Sequence, residues 1–131
     1  MLFHHLGIFV KSIAESSIIL SRDLKVQKKS EIIVDENLQV KVQFFKDENG
    51  ITYELIEGIG KKNPVANTLE KNKNILNHVA YTSKQFDNQL KELNDYGYIN
   101  ISNISKSVAF NGSRIVFLLS PLNFIIELIE N

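Results

Sequence analysis

Apolar and polar residues alternate through "LFHHLGIFV" at 2–10, and the β-branched and aromatic residues among them predict a strand. "SIAESSIILSRDL" at 12–24 changes to helical spacing, with Ser12 at the N-cap position and Glu15 as its capping-box partner. "EIIV" at 31–34 and "VKVQFFK" at 40–46 read as strands, and the turn signal Asn49-Gly50 joins the latter to "ITYELIE" at 51–57 as a hairpin. Gly58, Gly60, two lysines and Asn63-Pro64 then mark a connector, with a short helical piece around "VANTLEK" at 65–71. After it the pattern restarts. "ILNHVAYT" at 75–82 predicts a strand, and "SKQFDNQLKELNDYG" at 83–97 predicts an amphipathic helix closed by Gly97. Short strands near 99–109 lead into "RIVFLL" at 114–119 and "FIIELIE" at 124–130.

The predicted order is βαβββ, connector, βαβββ, which makes the chain α+β. A shift of 73 residues carries His5 onto His78 and "YELIE" at 53–57 onto "IELIE" at 126–130, where four of five residues are identical. The same shift lays "VQFF" at 42–45 on "IVFL" at 115–118. The register thus holds from the first strand to the last, and the chain is a tandem duplication. It reads as one domain over 1–131, with a first module at 1–58, a connector at 59–75 and a second module at 76–131.

The repeat selects polar residues as well. It pairs His5 with His78, Glu54 with Glu127, and His4 with Asn77. On a strand, alternate side chains share a face, so Glu54 travels with Thr52 and Ile56, and Glu127 with Ile125 and Ile129. A carboxylate buried among apolar neighbours costs several kcal/mol or changes its protonation unless something answers its charge. Two such carboxylates with two matching histidines ask for a shared divalent cation, held by His5, Glu54, His78 and Glu127. That donor set suits zinc, nickel, cobalt, iron or manganese alike. His4 reads as a surface or satisfied core histidine. Glu57 and Glu130 also match across the repeat, but they fall on the other strand face and read as solvent-facing charges.

Composition narrows the setting. Of 131 residues, 44% are hydrophobic and 23% charged, enough for one domain with a real core. Fifteen basic residues balance fifteen acidic ones, so no net field favours nucleic acid or an anionic membrane. No apolar run is long enough to span a bilayer, no signal pattern opens the chain, and cysteine is absent; the cytoplasm is the default location.

The stretches "HHLGIFVKSI", "ITYELIEG", "NPVANTLEK", "NHVAYTSKQFDNQLKEL", "GSRIVFL" and "PLNFIIELIE" together resemble the vicinal oxygen chelate superfamily. The methylmalonyl-CoA epimerase branch is the most similar, with lactoylglutathione lyases and bleomycin-resistance-type proteins as relatives. The resemblance covers nearly the whole chain and implies paired βαβββ modules forming a curled mixed sheet, a half-barrel, around a central site. It assigns the metal ligands to His5, Glu54, His78 and Glu127, the positions the repeat selects. It also implies proton transfer beside a carbonyl of a small substrate, such as an acyl thioester, with Glu127 as ligand and base.

One departure stands out. The position of a second base on the third strand of the first module falls on Val42, and Lys41 and Gln43 have the wrong parity to point inward. Arg114 at the start of "RIVFLL" either clamps an anionic substrate group or caps a surface strand. The resulting expectation is a metal-dependent isomerase, epimerase or lyase. A lactoylglutathione-lyase-like enzyme and a metal-indifferent binding protein of the bleomycin-resistance type are the alternatives. A homodimer is expected, because curled half-barrels leave sheet edges and apolar faces to cover.

Overall fold

The computed structural model describes residues 1–68 and 74–131. Its strands are β1 (Leu2–Phe9), β2 (Gln27–Lys28), β3 (Ile33–Asp35), β4 (Val40–Lys46), β5 (Thr52–Gly58), β6 (Ile75–Ser83), β7 (Ile99–Asn100), β8 (Ser105–Lys106), β9 (Arg114–Leu119) and β10 (Ile125–Glu130). Its α-helices are α1 (Ile13–Leu24), α2 (Pro64–Thr68) and α3 (Phe86–Asp95). α2 begins the helical piece expected at 65–71; residues 69–71 of that piece lie outside the described residues. Among the described residues no helix is long and apolar enough to cross a membrane.

Contacts group the chain into two units, Leu6–Leu76 and Met1–His5 with Asn77–Asn131. One boundary falls inside β1 and the other just after the connector, near the start of β6, so the first five residues group with the second module.

In the unit Leu6–Leu76 the strand order is β2-β4-β5-β1. Ser12 caps α1 by accepting the Glu15 N–H at 3.1 Å, as its place in the sequence predicts. The helix lays Ile13 against Val10, Val26, Phe45 and Leu55, with Ile8, Leu20 and Tyr53 packed around them. Each such side chain contributes about 1.5–3 kcal/mol on leaving water. The β4–β5 turn forms as expected: Gly50 sits at φ +81°, a left-handed conformation that suits glycine.

The edge strand expected at 31–34 is instead two pieces, β2 and β3, both paired with β4. Ser30 explains the gap. Its hydroxyl accepts the Phe44 N–H at 3.0 Å, and its carbonyl accepts the Gln43 side-chain amide at 3.0 Å. Side-chain bonds thus replace ladder bonds where the strand breaks.

In the other unit the order is β1-β6-β10-β9-β7, with β8 also on β9. Its edge is split the same way, for Ser102 takes the Phe117 N–H at 2.9 Å. α3 packs Phe86, Leu90 and Leu93 on Val116, Leu118, Ile126 and Leu128. It is closed by Gly97, whose φ of +97° turns the chain so that the Tyr98 N–H reaches the Leu93 carbonyl at 3.0 Å.

The pairings carry the repeat into three dimensions. β1 and β5 run parallel with Gly7 opposite Glu54, and β6 and β10 run parallel with Ala80 opposite Glu127. Across the antiparallel partners, Phe44 faces Glu54 and Phe117 faces Glu127. Every one of these partners is related by the same 73-residue shift. In each unit one sheet face is covered by a helix, and the glutamate lies on the opposite face.

Leu55 and Leu128 are the equivalent, fully buried residues under α1 and α3. Replacing either with alanine is expected to lower stability by about 3 kcal/mol, measured by urea unfolding. A loss below about 1 kcal/mol at either position would show that the helix is not seated as described.

Candidate metal centre

β6 and β10 set two of the polar residues side by side. Ile125 lies opposite His78, and Glu127 lies opposite Ala80. His78 and Ala80 share a face by strand alternation, and the small Ala80 side chain leaves Glu127 room to lean along the sheet toward the imidazole. Glu127 Oε2 stands 3.2 Å from His78 Nε2. His5, on the first half of β1, brings its Nε2 within 3.4 Å of the same oxygen and 3.2 Å of His78 Nε2. Three potential ligand atoms therefore converge, on residues only 0% (His5), 3% (His78) and 2% (Glu127) exposed. Glu54, the fourth residue selected from the sequence, is buried on β5 opposite Gly7.

The charge of Glu127 is held in place by its neighbours. Burial alone would push its carboxyl up, but hydrogen bonding and the charges of the His5 and His78 imidazoles bring it down to about 2. The hydrogen bonding is imperfect, since no donor is aligned on Oε2 itself. The placement of the atoms is more telling than their hydrogen bonds. A buried carboxylate oxygen facing two ring nitrogens, all within 3.4 Å, is arranged as cation ligands are. The donor types, imidazole nitrogen and carboxylate oxygen, fit a borderline divalent ion.

Each histidine is gripped on its other nitrogen by the residue before it. His78 Nδ1 lies 2.9 Å from Asn77 Oδ1, and His5 Nδ1 lies 2.8 Å from His4 Nδ1. Aromatic rings hold the imidazoles from the side. Phe110, on the 3-10 turn Val108–Phe110, stacks on His5 at 5.7 Å, and Phe117 meets His78 edge-on at 5.3 Å. His4 is thus satisfied, as expected of it, but by a candidate ligand. The pairing of His4 with Asn77 across the repeat is the sequence signal for this, whereas Phe110 has no aromatic counterpart 73 residues earlier.

Arg114 takes the strand-capping role. Its guanidinium binds Glu130 at 2.9 Å and Asp87, in the first turn of α3, at 3.0 Å, and it lies over the Phe86 ring at 4.6 Å. These carboxylates hold its pKa above the ordinary arginine value. Strand alternation puts it on the face of Val116 and Leu118, away from Phe117 and Glu127. The equivalent pair in the other module is Lys41 with Glu57 at 3.1 Å. Glu57 also accepts the Ile13 N–H at 2.8 Å, where a carboxylate favours a helix N-terminus. Glu57 and Glu130 are therefore structural ties between strand and helix, not the solvent-facing charges their position suggests. Val42 pairs with Ile56 and Ile33, is buried, and shares its face with Phe44 and Glu54, the parity expected for it.

Comparison with known proteins bears on the family and the fold. Residues 4–117 match the Glyoxalase/Bleomycin resistance protein/Dioxygenase superfamily. The chain belongs to that superfamily, the vicinal oxygen chelate proteins. A hypothetical protein from Bacillus halodurans C-125 is 22% identical over 98% of this chain and 93% of its own, with a TM-score of 0.85. Methylmalonyl-CoA epimerase from Mycobacterium tuberculosis is 17% identical, with 98% of this chain and 86% of that one covered and a TM-score of 0.81. A variant of the Streptomyces coelicolor methylmalonyl-CoA epimerase, in complex with 2-nitronate-propionyl-CoA, is 19% identical; 100% of this chain and 97% of that one are covered, with a TM-score of 0.81. Likeness at these identities shows the fold, α+β with tandem βαβββ modules. No curated protein sequence matches the chain. The family match stops before β10, so Glu127 rests on the repeat and on its own geometry.

Because Arg114 answers two carboxylates on the helix side, Arg114→Met is expected to lower the melting temperature and leave cation binding intact. Asp87 and Glu130 are both held below the usual carboxylate range, by Arg114 first of all. Their contribution is full above the unfolded value of about 4 and disappears as pH falls through the depressed folded values. The melting curves of variant and wild type should therefore lie apart at neutral pH and converge in acid. A gap that widens in acid contradicts this account.

Proposed function

We propose that the protein is a metal-dependent enzyme of the isomerase, epimerase or lyase kind, acting on a carbon next to the carbonyl of an acyl thioester. The observation that carries this reading is the buried convergence of His5 Nε2, His78 Nε2 and Glu127 Oε2. Glu54 is proposed as the fourth ligand. It is buried, it offers a carboxylate oxygen, and it holds in its own module the place of Glu127. A divalent cation at these residues supplies Lewis-acid stabilisation for the negative charge that develops on the substrate carbonyl oxygen. His5 and His78 present nitrogens whose orientation is fixed before anything binds. Phe110 and Phe117 keep water from the imidazole faces. Glu127 is the proposed proton carrier on one face of the substrate carbon. Val42, where a base for the other face is expected, has no titratable group, so exchange of an α-proton should outrun inversion. The similar epimerases support acyl-CoA thioesters as the substrate class.

The test begins with elemental analysis of protein reconstituted with zinc, cobalt, nickel or manganese. About one ion per chain is expected, lost in His78→Ala. Loaded protein should then exchange the α-proton of methylmalonyl-CoA with solvent deuterium, with slow or absent epimerisation. Glu127→Gln should abolish the exchange, and chelator-stripped protein should be inactive. A wild type that binds no ion sinks the reading, as does fast epimerisation indifferent to Glu127.

The same reading includes a homodimer. Ile99, Ile101 and Ile104, at and beyond the edge strand β7, are exposed, and a second copy would cover such an apolar edge. Sedimentation equilibrium should give twice the chain mass; a monomer at high micromolar concentration excludes it.

A further inference from the structure

The connector that follows β5 carries groups that the metal centre does not use. β5 ends at Gly58, and the chain turns through Ile59, Gly60, Lys61, Lys62 and Asn63 before α2 begins. A Cβ at position 58 would overlap the Asn63 side chain, so glycine there lets the loop fold back onto the strand. Asn63 fixes the turn. It is buried, its side-chain amide donates to the Gly60 carbonyl at 2.9 Å, and its Oδ1 accepts the Ala66 N–H at 2.7 Å. Gly60 takes φ +71°, in the left-handed region.

This loop borders an open pocket of about 310 Å³. Lys11, Gly58, Gly60 and Asn63 line it together with the buried Val10 and Val65. Two kinds of donor are left over there. Among the described residues, no acceptor meets the backbone N–H of Gly60, Lys61 or Lys62. Nor does a carboxylate pair with Lys11, Lys61 or Lys62, all of them exposed. Lys28, Lys41 and Lys91, by contrast, have carboxylate partners at 3.0, 3.1 and 2.7 Å. A chain with no net charge thus gathers three unanswered positive charges at one glycine turn. Unused N–H groups and lysine charges around a shaped turn are what a phosphate group needs.

The position of the pocket along β5 says which phosphate it suits. Glu54, Ile56 and Gly58 alternate onto one face of the strand, so the pocket begins about 13 Å along it from Glu54. The pantetheine arm of an acyl-CoA is long enough to cover that span. We propose that residues 58–63, with Lys11, bind the phosphates of a nucleotide tail on the thioester substrate while its carbonyl lies at the metal centre. The inference rests on the acyl-thioester reading above and adds the part of the substrate that the centre itself does not recognise.

Calorimetric titration of zinc-loaded protein with acetyl-CoA and with S-acetylpantetheine, which lacks the nucleotide phosphates, tests this. Wild type should bind acetyl-CoA about tenfold more tightly or better. Replacing both loop lysines, Lys61→Ala with Lys62→Ala, should remove most of that preference and leave S-acetylpantetheine binding unchanged. Lys84→Ala with Lys91→Ala, which removes the same charge from exposed positions of the other unit, should keep the preference. ADP, which has the diphosphate without the arm, should bind more weakly than acetyl-CoA. Equal affinity for the two thioesters in wild type overturns the inference and leaves the metal centre standing, and this comparison needs no variant to fold. A preference indifferent to Lys61 and Lys62 overturns it too, as does ADP binding as tightly as acetyl-CoA. The metal reading fails separately, by elemental analysis, and binding of neither thioester overturns both.

Discussion

Parallel pairing between the first and last strands of each module is the constraint on which the rest of the molecule depends. It sets Gly7 beside Glu54 and Ala80 beside Glu127. The same pairing fixes parity for every neighbour. Once Glu127 points away from α3, Phe117 must follow it, while Leu128, Val116 and Leu118 go under the helix. A shift of one residue in this register would put Glu127 in the apolar core and Leu128 in the centre. The burial of Leu55 and Leu128 under the helices therefore positions the glutamates, although neither leucine touches the chemistry.

The repeat makes most of this legible in the amino-acid sequence. Its 73-residue offset pairs the strands, selects the four polar residues and predicts the parity of Val42, because side-chain alternation is a property of the backbone. Two kinds of feature are not legible there. The breaks in the edge strands depend on Ser30 and Ser102 bonding across to Phe44 and Phe117, which no local pattern of hydrophobicity records. The roles of Glu57, Glu130 and Arg114 are also hidden. Strand position shows which face a charge occupies, but only the helix packed there shows that Ile13 N–H and Asp87 are waiting for it. His4 misleads for a different reason. Neighbours on a strand point to opposite faces, so adjacency in sequence argues against contact between His4 and His5, yet at the start of β1 their Nδ1 atoms meet.

The environment of Glu127 bears on what the site does best. A general base works well when its pKa lies near the working pH, whereas His5 and His78 draw the Glu127 carboxyl below its ordinary value. The features that make the carboxylate a dependable ligand make it a weak proton acceptor. Burial by itself raises its carboxyl, as apolar surroundings do in other active sites, but His5 and His78 together answer its charge and outweigh that effect. On the proposed reading, stabilisation of charge on the substrate oxygen would lower the basicity demanded of the carboxylate. On the proposed reading, a weak base on one face and an apolar Val42 where the second is expected would fit slow proton exchange better than rapid inversion. The chain's investment is in preorganised nitrogen and oxygen donors, held by Asn77, His4, Phe110 and Phe117, more than in a tuned acid–base pair.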